Sequence, residues 1–138
     1  LRQRPSSKHR MHYDASILLV DDYEFIRTIL ERMLQQLGYQ NLRMAADGVD
    51  ALHLLRTRPV DLVITDYHMP EMDGIGLFQA MQQYPVLAKI PVLLISGVPT
   101  EKFATQALAM GIQSTLNKPI RAEQLDQEIQ SLLTRSLS

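Results

Sequence analysis

Five short runs of aliphatic and β-branched residues recur along this 138-residue chain, and four of them stop at a side chain able to do chemistry. The run over 16–20 ends at Asp21 and Asp22, the run over 61–66 ends in Asp66 itself, the run over 91–95 is followed by Ser96, and the run over 112–116 by Lys118. Runs that are apolar at nearly every position, rather than at alternate ones, belong to strands covered on both faces, as in parallel sheets. The fifth run, over 42–46, is shorter and weaker. Between the runs the period changes from strand-like to helical. Phe25, Ile26, Ile29, Leu30, Met33, Leu34 and Leu37 recur at spacings of three and four, and Gly38 stands where a helix stops. Asp47 and Gly48 open a second helix, carrying Val49, Ala51, Leu52, Leu54 and Leu55, that Pro59 closes. After a loop containing Pro70, Asp73 can cap a helix over 75–84. Thr100 can cap another over 101–110 that Gly111 terminates, and Ala122, Leu125, Ile129, Leu132 and Leu133 mark a last one. Five strands alternating with five helices predict an α/β fold, a parallel sheet doubly wound by helices on both faces. Ligand sites in such sheets lie beyond the carboxyl ends of the strands. Those are the ends where the reactive side chains stand.

A chain of this length makes one domain and buries roughly two-thirds of its unfolded surface. Hydrophobic residues make up 46% and charged residues 21%, which excludes a disordered chain. Cysteine is absent, so there is no disulfide framework, thiolate metal site or cysteine nucleophile, and a reducing compartment such as the cytoplasm fits. The apolar runs are too short to cross a bilayer as helices, so no membrane association is expected. Net charge is -1, yet the first 13 residues carry Arg2, Arg4, Lys8 and Arg10 and no acid, leaving the body mildly acidic. No basic helix or aromatic platform follows, which argues against direct nucleic-acid binding. Residues 1–14, with Pro5, Ser6 and Ser7 and no periodicity, read as a basic linker or leader preceding a domain over 15–138.

Three carboxylates gathered at strand ends cannot all ionise cheaply, because like charges raise one another's pKa unless a cation compensates. Oxygen ligands without His or Cys select Mg²⁺, or Mn²⁺ in its place, over zinc, and Mg²⁺ commonly joins one or two carboxylates to a phosphoryl oxygen. A carboxylate can then act as nucleophile while a lysine and a hydroxyl neutralise and hydrogen-bond the phosphoryl oxygens. Asp66, Asp22, Lys118 and Ser96 supply that set.

With these residues in this order, the chain resembles the receiver domains of two-component response regulators, the single-domain chemotaxis regulators among them. The residues that carry the resemblance are Asp21-Asp22, Asp66 with Met69-Pro70 and Asp73-Gly74, Ser96-Gly97, and Lys118-Pro119, and the resemblance covers about residues 15–134. It implies a flavodoxin-like sheet of order 2-1-3-4-5. It also implies that Asp66 takes a phosphoryl group from the phosphohistidine of a histidine kinase or phosphotransfer protein. Asp21, Asp22, Asp66 and the backbone carbonyl of His68 would hold Mg²⁺, Lys118 would pair with the phosphoryl group, and Ser96 would turn inward to bond it. Gly97 would leave room beside it, Lys118-Pro119 would be a cis peptide aiming the lysine, and Asp73 and Gly74 would serve as a structural cap and turn. The face built from the fourth helix, fifth strand and fifth helix would change shape toward an output domain or protein. Such a domain catalyses only its own phosphorylation and dephosphorylation.

Two positions depart from the family pattern. Thr115 stands where many relatives carry an aromatic side chain that turns inward on activation, so the usual readout is missing. His68 stands two residues after the acceptor, a place that tunes the lifetime of the phosphoryl group. Two other classes of function compete. A small phosphohydrolase with an aspartyl nucleophile would want a second acid where His68 stands, and a receiver that binds partners without phosphorylation would commonly lose the acidic pair, the acceptor or the lysine. His9, His12 and His53 read as solvated surface residues. We expect His68→Asn to change the half-life of phosphorylated protein, measured as a hydrolysis time course; identical decay in the two proteins would remove His68 from the reaction.

Overall fold

The computed structural model describes residues 12–97 and 104–137. His9, and Thr100 as a helix cap, lie outside the described residues. The strands are β1 (Ile17–Val20), β2 (Leu42–Ala45), β3 (Leu62–Asp66), β4 (Val92–Ser96) and β5 (Ser114–Asn117). The helices are α1 (Glu24–Leu37), α2 (Gly48–Thr57), α3 (Gly74–Met81), α4 (Pro85–Ala88), α5 (Ala104–Met110) and α6 (Ala122–Leu137). All strand pairs are parallel, in the order β2-β1-β3-β4-β5. The predicted doubly wound sheet and its order are observed.

Side chains alternate across each strand, so one set of apolar runs feeds two cores. Leu18, Val20, Val63 and Leu94 pack beneath α2, α3 and α5 with Ala51, Leu55, Leu77, Met81 and Ala107. Ile17, Leu19, Leu62, Ile64, Leu93 and Ile95 pack on the other side against Leu30 and Leu34 of α1 and Leu125, Ile129 and Leu133 of α6. Central strands β1, β3 and β4 are buried along their whole length, whereas the edge strands β2 and β5 are partly open.

Among the described residues six helices stand where five were expected, because the segment over 75–84 does not run through. Pro85 disfavours helical backbone at Tyr84, which is extended (φ -117°, ψ 118°). The helix therefore stops at Met81, and the proline starts α4 at a first-turn position where its missing N–H costs nothing. Strand β5 also begins later than its apolar run suggests. Gly111 adopts a left-handed conformation (φ 108°), and the Ile112 amide turns back to bond the Ala107 carbonyl at 3.0 Å, so the closure of α5 uses a group the strand would otherwise have had. Gly38 ends α1 in the same way, with Tyr39 N–H on Leu34 O. Asp47 caps α2 by accepting from the Asp50 amide at 2.7 Å.

Residues 12 and 13 of the basic leader lie against the domain. The fully buried Tyr39 donates its hydroxyl to Asp126 of α6 at 2.6 Å and accepts from Gln130 at 2.6 Å. Gln130 in turn accepts from the His12 amide at 3.0 Å, and the Tyr13 ring stands 4.8 Å from that of Tyr39. Burial and the neighbouring Asp126 carboxylate push the Tyr39 hydroxyl well above its ordinary pKa, so it stays a donor. Removing that hydroxyl strips a hydrogen bond from both Asp126 and Gln130. Tyr39→Phe is expected to lower unfolding free energy by about 1–3 kcal/mol, read from urea denaturation at pH 7, and an unchanged midpoint would show the clasp to be idle.

Candidate phosphoacceptor site

Parallel register carries the strand ends to one row. Val20 of β1 pairs with Thr65, so Asp21 follows beside Asp66; Asp66 pairs with Ile95, and Ser96 with Asn117. The ladder continues one step past the strands, with Tyr67 N–H on Ile95 O at 2.8 Å and Lys118 N–H on Ser96 O at 2.8 Å. These bonds set Asp66 and Lys118 on either side of β4. The Lys118 Nζ reaches 3.2 Å from Asp66 Oδ1 and 3.9 Å from Asp21 Oδ2. Carboxylate oxygens of Asp21, Asp22 and Asp66 all lie within 4.8 Å of one another. The Lys118–Pro119 bond is cis.

A cavity of about 400 Å³ opens over this row, lined by Asp22, Tyr23, Asp66, His68, Gly97 and Lys118 among others. A larger one, of about 540 Å³, lies at the amino ends of β4 and β5 beside α6, and gathers no carboxylate. Chemistry, not size, makes the first the candidate site.

Asp21 and Asp66 are nearly sealed, at 2% and 6% exposure. Burial is the main influence on both carboxyls. For Asp66 it outweighs the opposing pull of the Lys118 ammonium, and Asp22 adds repulsion, so its pKa is raised. For Asp21 burial and the charges of Asp66 and Asp22 outweigh the Tyr23 amide and Lys118, again raising the pKa. Three acids against one lysine leave the pocket short of positive charge. Asp22 Oδ1 is buried without a hydrogen-bond partner among the described residues, which is costly unless something binds it. A set of hard carboxylate oxygens with one such oxygen to spare fits Mg²⁺ or Mn²⁺.

The remaining residues fall around this core. Ser96 is fully buried at the end of β4. Gly97 is outside the left-handed region, and a methyl group built on it would approach nothing closer than Lys118 Cδ at 4.0 Å, so neither its backbone nor protein packing requires glycine there. Gly74 is the opposite case. A Cβ there would lie 2.7 Å from the Asp66 carbonyl oxygen, and its amide bonds the Tyr67 carbonyl at 2.9 Å, so Gly74 lets α3 press against the strand end that carries Asp66. Asp73 caps α3 through the Gly76 amide at 2.7 Å. The His68 ring is exposed at the cavity rim, 4.7 Å from that of Tyr67. Thr115 is half-buried in β5 opposite Leu94, away from the cavity lining.

Three contacts escaped the sequence reading. Tyr23 N–H donates to Asp21 Oδ1 at 2.9 Å, Arg27 donates to the Asp21 carbonyl, and the fully buried Thr65 donates its hydroxyl to the Asp66 carbonyl at 3.0 Å. A polar Thr inside an apolar run was the available signal for the last.

The family model described as "Response regulator receiver domain" matches residues 17–130. The chain belongs to that family. It is 31% identical over 125 residues to the chemotaxis protein CheY-3 of Vibrio cholerae, covering 91% of this chain and 96% of that one. It is 33% identical over 119 residues to the chemotaxis protein CheY of Pseudomonas aeruginosa, covering 86% and 96%. Among solved structures, the signal receiver domain of an HD domain-containing protein from Pseudomonas fluorescens Pf-5 superposes with a TM-score of 0.80 at 34% identity, covering 90% of this chain and 98% of that one. This receiver domain is chemotaxis-regulator-like, and no helix among the described residues is long and apolar enough to cross a membrane.

Folding raises the pKa of both Asp21 and Asp66, so the metal-free folded protein holds protons that the unfolded chain has released. These two groups therefore contribute most to stability below the ordinary carboxylate range, and that contribution is lost as pH rises through the raised values. In EDTA at pH 7, Asp66→Asn should raise the Tm by about 3–6 °C, and the gain should vanish at pH values where Asp66 is protonated in both states. A lower Tm at pH 7 would mean that the Lys118 contact outweighs the cost of burying the charge.

Proposed function

We propose that this receiver accepts a phosphoryl group on Asp66 from the phosphohistidine of a histidine kinase or phosphotransfer protein, and passes the signal to an output domain or protein in the cytoplasm. The observation that carries the reading is the Lys118 ammonium, 3.2 Å from a buried Asp66 carboxylate that shares its pocket with Asp21 and Asp22. A strand-end acid that merely caps a loop has no need of that company.

An Asp66 oxygen attacks phosphorus as the P–N bond of the phosphohistidine breaks. The bonding pair returns to the imidazole nitrogen, which takes a proton from water, and an acyl phosphate forms on Asp66. Mg²⁺, when bound, neutralises charge on the phosphoryl oxygens. Asp22, Asp66 and the His68 carbonyl would hold it directly. Asp21, whose Oδ1 is engaged by the Tyr23 amide, acts from behind them. Lys118, released from full pairing with the Asp66 carboxylate, follows the new charge onto the phosphoryl group, and the Ser96 hydroxyl at the end of β4 serves as a further donor. Gly97 keeps the approach open. With α4 inserted, the output face is α5, β5 and α6, where Thr115 stands in place of the usual aromatic switch. Turnover of an external substrate is no part of this reading.

The rim of the pocket suits a protein donor. Tyr23, 64% exposed, lines it, and Phe25, 74% exposed, and Ile29 follow one turn apart along α1. Wild type incubated with Mg²⁺ and acetyl phosphate should gain one phosphoryl group by intact mass, and Asp66→Asn none; no gain, together with no beryllofluoride binding, would overturn the proposal. Phe25→Ala should slow transfer from a phosphohistidine protein by about tenfold while leaving the rate with acetyl phosphate unchanged. Equal slowing with both donors would take Phe25 out of docking.

A further inference from the structure

Arg27 lies in the first turns of α1, six residues after Asp21, and its guanidinium donates to the Asp21 backbone carbonyl at 2.5 Å. Among the described residues it forms no ion pair with a carboxylate, since the ion pairs there are those of Lys118 with Asp21 and Asp66. A guanidinium spent on a main-chain carbonyl, with acidic side chains nearby, is doing geometry rather than surface pairing.

We propose that Arg27 is a positioning residue for the phosphoacceptor pocket, holding the Asp21–Asp22 peptide so that the Asp22 carboxylate faces a divalent cation. The inference rests on the reading of Asp21, Asp22 and Asp66 as that pocket. Every polar group of Asp21 is then engaged. Its amide bonds Ala45 O at 3.3 Å, its Oδ1 takes the Tyr23 amide, its Oδ2 faces Lys118, and its carbonyl takes Arg27. The Arg27 amide also bonds the Tyr23 carbonyl at 3.0 Å, so backbone and side chain together tie the start of α1 to the loop. The carbonyl that Arg27 holds belongs to the peptide leading directly into Asp22, whose Oδ1 is the buried oxygen left without a partner. Without that donor the peptide can rotate, and Asp22 loses its fixed direction. Groups that orient metal ligands from behind affect affinity strongly even though they touch no metal.

The test compares Arg27→Met, which keeps the apolar stem and removes the donor, with Arg27→Lys, which keeps a charged donor. Mn²⁺ affinity is measured by titration with electron paramagnetic resonance, Mg²⁺ dependence from the acetyl phosphate reaction, and Tm in EDTA. The Met variant should bind Mn²⁺ about tenfold more weakly and need correspondingly more Mg²⁺ for half-maximal rate, with a near wild-type rate at saturation. The Lys variant should recover most of the affinity. Should the Met variant fail to fold, Arg27→Gln takes its place with the same expectation. Wild-type Mn²⁺ affinity in the Met or Gln variant would overturn the proposal, as would a loss that Lys does not relieve. Failure of wild type itself to bind Mn²⁺ or become phosphorylated would instead overturn the underlying reading of the pocket.

Discussion

Everything at the carboxyl edge of this sheet depends on holding three carboxylates closer together than they would choose to be. Asp21, Asp22 and Asp66 crowd within 4.8 Å, and Lys118 is the one ammonium the described structure sets among them. Burial makes the repulsion more costly, and it is why the carboxyl groups of Asp21 and Asp66 resist ionisation. In the function proposed for this chain, that unfavourable charge is what would make the pocket receptive to a divalent cation and a lysine-paired phosphoryl group.

The rest of the fold supplies the force that keeps the acids in place. Strands β1, β3 and β4 carry apolar side chains on both faces, and the two cores clamp them between α2, α3 and α5 on one side and α1 and α6 on the other. With the strands so fixed, parallel register does the positioning. One residue past the Val20–Thr65 pair stands Asp21, and one residue past the β4–β5 ladder stands Lys118. The loops then complete the site at close quarters, with Gly74 against the Asp66 backbone and Asp73 closing the start of α3. A second polar network, built on Tyr39, Asp126 and Gln130, ties residues 12 and 13 to the segment after α1 and to α6.

Much of this was legible in the sequence because the signals were local. The helical spacing from Phe25 to Leu37 with Gly38 behind it, the capping residues Asp47 and Asp73, and the strand runs ending in acids each state their structure within a few residues. Errors arose where a neighbour competed. Pro85 divided one expected helix into α3 and α4, and the left-handed turn at Gly111 drew Ile112 out of β5. Gly97 and Gly74 look alike in sequence, yet one borders open space and the other packs against a main-chain carbonyl. That difference belongs to the surroundings, not to the residue.

Alternating patterns and strand-end side chains determined the architecture, the edge on which the chemistry stands and the identities of the acids and the lysine. They could do so because hydrophobic periodicity and parallel connection rules act through the chain's own order. Only the folded structure decided the distances, the unpartnered oxygen of Asp22, and the hold of Arg27 and Thr65 on the carbonyls beside the acids. Each of these depends on how far one packed element slides against another. Shifts of an ångström there make or break a hydrogen bond, and no pattern along the chain records them.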